Sequence, residues 1–125
     1  LVVDDEPALR VFMATVLTAA GHQALQAEDG REGLRLLEAH AEVSLLITDL
    51  IMPEMDGIEL IVCARKKWPQ LPIVAISGGS LHSATCLNAA KNLGAIETLG
   101  KPFGRNALLT AVTHSLGKES PINGS

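Results

Sequence analysis

Short apolar runs alternate along this chain with stretches in which apolar residues recur every three or four positions. Leu1–Val3 is the first run, and it ends at Asp4 and Asp5. Pro7 follows at a position suited to the first turn of a helix. Leu9, Phe12, Met13, Val16, Leu17 and Ala20 then mark one helix face, which Gly21 stops. His22–Gln26 reads as a weaker strand, Asp29-Gly30 as a turn, and Leu34, Leu37 and Ala41 as the face of a second helix. Ser44–Thr48 is a strong strand ending at Asp49. Pro53 and Gly57 punctuate the loop after it, and a helix through Ile58, Ile61, Val62 and Arg65 runs up to Trp68-Pro69. Pro72–Ile76 is another apolar strand, ending at Ser77 before the break at Gly78-Gly79. Leu87, Ala90 and Leu93 suggest a fourth helix closed by Gly94. Ala95–Leu99 is a weaker strand ahead of Lys101-Pro102, and Phe103 opens a last helix holding Leu108, Leu109, Val112 and Leu116.

Five strands alternating with five helices predict one soluble α/β domain with parallel strands joined by right-handed crossovers. The first, third and fourth strands are continuously apolar, as strands buried on both faces are, and the mixed second and fifth belong at the edges. That selects the flavodoxin-like (βα)5 doubly wound sheet of order 2-1-3-4-5 in three α/β/α layers, with its ligand crevice between strands 1 and 3. The domain is expected over residues 1–117, with a polar tail over 118–125. A strand that opens on residue 1 suggests that its first residues are missing.

With 125 residues there is room for one such domain, and 47% apolar against 19% charged residues is an ordinary globular balance. The net charge of −4 and the lack of a basic cluster beyond Arg65-Lys66-Lys67 argue against direct nucleic-acid or anionic-membrane partners. The basic triplet reads as a solvated helix end. No apolar stretch approaches the ~20 residues that span a bilayer. Cys63 and Cys86 have neither disulfide-framework nor metal spacing; they read as small buried hydrophobes and fit a reducing cytoplasm. His22, His40, His82 and His114 show no ligand spacing and read as exposed, with no carboxylate partner indicated.

Ligands of such sheets bind outside the carboxyl ends of the strands. Strand 1 ends in Asp4 and Asp5, strand 3 in Asp49, strand 4 in Ser77 and strand 5 in Lys101. Three carboxylates in one crevice repel one another, and a hard divalent cation relieves that while leaving room for phosphate oxygens. Lys101 adds a compact positive charge, and Ser77 and the backbone near Gly78 supply donors. Asp56 reads as a helix N-cap.

The segments Val2-Val3-Asp4-Asp5-Glu6, Asp49 through Gly57, Ala75-Ile76-Ser77-Gly78 and Lys101-Pro102-Phe103 resemble the motif set of response-regulator receiver domains, the CheY-like superfamily. They come in the family order and span almost the whole chain. The resemblance implies that Asp49 is phosphorylated and that Asp5, Asp49 and the Ile51 backbone carbonyl bind Mg2+, with Mn2+ an acceptable substitute and Asp4 acting through water. It also implies that Ser77, the Gly78 backbone and Lys101 contact the phosphoryl group and that Pro102 follows a cis peptide bond. The donor would be the phosphohistidine of a sensor histidine kinase or of a histidine phosphotransfer protein. The output would pass through the face formed by the fourth helix, the fifth strand and the last helix, which also allows a phosphorylation-dependent homodimer.

Two departures from the family pattern stand out. Thr98 occupies the position three residues before the lysine where the family usually has Tyr or Phe, so a weaker or different relay to that face is expected. The stretch from Ser77 to Gly94 is about two residues longer than a typical member's, and Ile51 and Gly79, which cannot hydrogen-bond through side chains, imply slow to moderate self-dephosphorylation. Two other readings compete. A magnesium-dependent aspartyl-phosphate phosphohydrolase would need a second Asp where Ile51 stands; a binding-only pseudo-receiver would lack an acid or the lysine.

Overall fold

Val2–Val3 (β1) is fully buried, and both of its edges are paired in parallel. Gln26–Ala27 (β2) lies on one side and Leu46–Asp49 (β3) on the other; Ile73–Ser77 (β4) and Glu97–Gly100 (β5) continue the sheet beyond β3. The order is β2-β1-β3-β4-β5, with the two mixed strands at the edges as their sequences predicted. The computed structural model describes residues 1–50, 56–77, 94–95 and 97–117. The fourth predicted helix (Leu87, Ala90, Leu93), Met52, Pro53, Met55, Gly79, His82, Cys86 and the polar tail lie outside them.

The described helices are α1 (Pro7–Ala19), α2 (Gly30–Ala39), α3 (Gly57–Lys67) and α4 (Arg105–Gly117). Successive strand residues point to opposite faces, and this divides the core in two. Val2, Ile47, Val74 and Ile76 pack with Met13, Val16 and Leu17 of α1 and Leu108 and Val112 of α4. Val3, Leu46, Ile73 and Ala75 pack with Leu37 of α2 and with Leu60, Ile61 and Ala64 of α3. The result is the flavodoxin-like, three-layer arrangement. Among the described residues no helix is long and apolar enough to cross a membrane.

Several local expectations are corrected. Phe12 and Ala20 are exposed; the buried stripe of α1 is Met13, Ala14, Val16 and Leu17, about one position round the helix from the face read from spacing. Asp29 does not form a turn with Gly30. It caps α2, its carboxylate accepting from Glu32 N at 2.9 Å while Glu32 Oε1 accepts from Glu28 N at 2.9 Å. Ala41 is exposed beyond the end of α2. The second and fifth strands begin later than their apolar runs, because a ladder needs a paired neighbour and not only apolar side chains. Phe103 precedes α4, and Cys63 is half-buried. Arg65 is not a solvated end residue. Its guanidinium donates to Pro69 O at 2.6 Å and to Gly94 O at 2.8 Å. Gly94 has φ +119°, and a Cβ there would lie 2.7 Å from Arg65 Nε. His40 pairs with Glu42 at 3.1 Å and His114 with Glu97, partnerships that spacing did not indicate.

Candidate functional site

The rim at the carboxyl ends of the strands is assembled around β4. Its Ile76 carbonyl accepts from Leu50 N at 2.9 Å, which seats the residue after Asp49. Its Ser77 carbonyl accepts from Lys101 N at 2.8 Å, which seats the lysine on the other side. Asp49 is therefore held at the mouth of β3 and Lys101 at the mouth of β5, with β4 between them.

Lys101 Nζ lies 3.2 Å from Asp49 Oδ2, 3.5 Å from Asp4 Oδ2 and 3.5 Å from Glu6 Oε1. Asp4, Asp5 and Asp49 each offer an oxygen within 4.8 Å of the others. Asp4 is completely buried and Asp49 nearly so, whereas Asp5 is exposed. Asp4 Oδ1 accepts from Glu6 N at 2.8 Å, but its buried Oδ2 makes no hydrogen bond. A buried, under-coordinated carboxylate oxygen beside two further carboxylates is a donor set that suits a hard dication.

The electrostatics follow from burial and crowding. Burial raises the Asp49 pKa above its usual 3.8, and the neighbouring Asp4 charge adds to this, while Lys101 opposes it. Asp4 is raised in the same way, chiefly by burial and against the Glu6 N–H and Lys101. Burial by itself would lower the Lys101 pKa; the carboxylates of Asp49, Asp4 and Glu6 outweigh it, and the net shift is upward. The ammonium stays charged, and the acids carry an electrostatic load that a second positive charge would relieve.

The geometry thus brings together Asp4, Asp5, Asp49 and Lys101. Ser77 is buried at the end of β4, one residue past the position paired with Asp49. Thr98 is half-buried on β5, paired with Ala75. The Lys101–Pro102 peptide bond is cis. Ile51 and Gly78 lie outside the described residues.

Three contributors carried no sequence signal of their role. Glu6 reaches Lys101, and Arg10 Nη1 donates to Asp4 O at 2.8 Å. Gly57, the first residue of α3, sits so close to the Asp49 carbonyl that a Cβ would lie 1.9 Å from its oxygen. Asp56 before it caps α3, its carboxylate accepting from Glu59 N at 3.0 Å, in keeping with the N-cap reading.

Comparison with known proteins agrees with this arrangement. Residues 1–113 match the family described as "Response regulator receiver domain". A chemotaxis protein CheY homolog from Campylobacter jejuni is 38% identical over 125 residues, covering 96% of this chain and 93% of that protein. The transcriptional regulatory protein GlrR of Escherichia coli is 37% identical over 122 residues; these are 97% of this chain but 27% of GlrR, so the chain spans only about a quarter of that relative. Among solved structures, the receiver domain of NtrX from Brucella abortus superposes with a TM-score of 0.87 at 29% identity, covering 94% of this chain and 98% of that one. With the family matched from Leu1 to Thr113 and the sheet order and acidic rim in place, this chain belongs to the receiver domains of two-component response regulators, the CheY-like group.

Proposed function

We propose that the chain is a phosphoacceptor switch in a two-component phosphorelay: Asp49 takes a phosphoryl group from a phosphohistidine on a cytoplasmic sensor kinase or phosphotransfer protein, and the result is read on the face that includes β5 and α4. The observation that carries this reading is the pairing of Asp49 with Lys101 Nζ at 3.2 Å inside a cluster of three carboxylates. An unmodified carboxylate beside an ammonium can act as acceptor because phosphoryl transfer asks the protein mainly for positioning and charge neutralisation.

Asp5 and Asp49 would hold the metal directly, with Asp4 close behind them, and Mg2+ when bound supplies positive charge to the transferring oxygens. An Asp49 oxygen forms the new O–P bond as the N–P bond to the donor imidazole breaks, its electron pair leaving on the ring nitrogen. Lys101 stays protonated through this and can follow the charge from the carboxylate to the phosphoryl oxygens, since Asp4 and Glu6 hold it within reach of both. Buried Ser77 offers its hydroxyl at the same rim. Thr98 presents less surface than an aromatic ring to any movement there, so the relay to β5 is expected to be weak.

The test is direct. With Mg2+ and acetyl phosphate the wild-type chain should gain one phosphoryl mass, and Asp49→Asn should gain none. Modification that persists in Asp49→Asn would refute the assignment, and turnover of many equivalents of a phosphate ester would point to a hydrolase instead.

A further inference from the structure

Arg10 is half-buried on the second turn of α1, and its Nη1 donates to the backbone carbonyl of Asp4 at 2.8 Å. That carbonyl lies one residue past the β1 ladder, where the strand has ended and α1 has not begun. It belongs to the peptide plane joining Asp4 to Asp5, two of the three carboxylates in the cluster. The Asp4 side chain is already fixed, buried and accepting from Glu6 N. Asp5 differs. Its side chain is exposed and makes no hydrogen bond or ion pair among the described residues, so only the backbone limits where its carboxylate can reach. Three bonds hold that backbone: Asp4 N donates to Ala27 O at 3.1 Å, Glu6 N donates to Asp4 Oδ1, and the Arg10 guanidinium is the one that fixes the Asp4–Asp5 carbonyl itself.

From this we infer that Arg10 is a positioning residue for the dication: by clamping the Asp4–Asp5 peptide it aims the Asp5 carboxylate at the oxygens of Asp4 and Asp49. The inference rests on the metal site proposed above. Partners behind the ligands of a metal typically change its affinity by about 10- to 100-fold when removed. Bare electrostatics acts in the opposite direction. Arg10 is a cation beside a site for a cation, and deleting it should by Coulomb's law alone tighten binding. Positioning and bare electrostatics therefore predict changes in opposite directions, which makes the residue informative.

The experiment is calorimetric titration of the metal-free protein with Mg2+, for wild type, Asp49→Asn and Arg10→Met, with thermal unfolding of each metal-free form. Arg10→Met should weaken Mg2+ binding by about tenfold. A role in folding alone would lower the Tm of the metal-free protein and leave the Kd of the folded molecules unchanged; that result, or tighter binding, would overturn the inference. If Arg10→Met does not fold, Arg10→Gln, whose shorter stem cannot span the gap, is judged by the same criterion. The wild-type arm judges the metal site itself. If wild type shows no Mg2+ binding that depends on Asp49, the site falls and Arg10's role with it. If wild type binds and the Arg10 variant binds as well or better, only Arg10's role falls.

Discussion

Among the described acids Asp4 is the most deeply buried, with one oxygen satisfied by Glu6 N and the other without a hydrogen bond. Its pKa and that of Asp49 are raised above 3.8 in the folded chain. The native state thus retains protons at pH values where the unfolded state has already released them. Between the ordinary value and the raised folded values, the contribution of these two acids to stability without metal falls as pH rises. Urea denaturation in EDTA from about pH 4 to about pH 6 should show this slope, below the range where the buried amino terminus, its pKa lowered to about 6, contributes the opposite one. Asp4→Asn should flatten it, because that variant removes one raised acid and also one of the causes raising the other. A slope that is identical in the variant would contradict the assignment. Asp49 and Lys101 were legible in the sequence because each stands where an apolar run stops, and the topology sends all such stops to one rim. Arg10 was not, since a helix residue bonding to a strand-end carbonyl leaves no period to detect, and Glu6 was not, since its partner Lys101 lies 95 residues away. His114 and Glu97 escaped for a similar reason, lying 17 residues apart on different elements.

Among the described helices, α3 is tied most closely to Asp49. Its first residue lies against the Asp49 backbone, Gly57 N donates to Leu50 O at 2.9 Å, and the Asp56 carboxylate caps its first turn. A methyl group at residue 57 would meet backbone and not a movable side chain, so Gly57→Ala should destabilise the protein by about 1–3 kcal/mol, as overpacking does. It should also slow modification of Asp49 by acetyl phosphate. Asp56→Ala should cost about 1 kcal/mol, as loss of an N-cap does, and disturb modification less. Urea melts and phosphorylation time courses measure both, and a Gly57→Ala variant as stable and as reactive as wild type would show that the contact is unimportant. Spacing located α3 and Asp56 correctly but could not show this contact, because the closeness of two backbones depends on how a helix docks on a strand end. The same limit explains Phe12: recurrence at three and four residues identifies an amphipathic helix, while the part of that stripe that meets the sheet depends on docking.

Across the whole molecule the sheet separates two cores that share few side chains, α1 and α4 on one face and α2 and α3 on the other. Ile61→Val on α3 should cost about 1 kcal/mol and Leu108→Ala on α4 about 3 kcal/mol. Their effects should add to within about 0.5 kcal/mol, because no partner is common to both. A larger coupling, measured in a double-mutant cycle by urea denaturation, would mean that the sheet transmits strain between its faces. The layer order was readable because alternation and edge polarity are properties of the whole chain, and these survive errors of a few residues at individual boundaries. The way β4 supports the rim was not readable. Its last two carbonyls hold Leu50, the neighbour of Asp49, on one side and the lysine on the other, while Asp4 and Asp5 follow β1, on the far side of β3. A small slide of β4 would therefore carry Asp49 and the ammonium along as one jaw. The gap that opens would be the one facing the β1 acids, so distortions of the sheet should register first in how tightly a dication is gripped and only later in the ion pair.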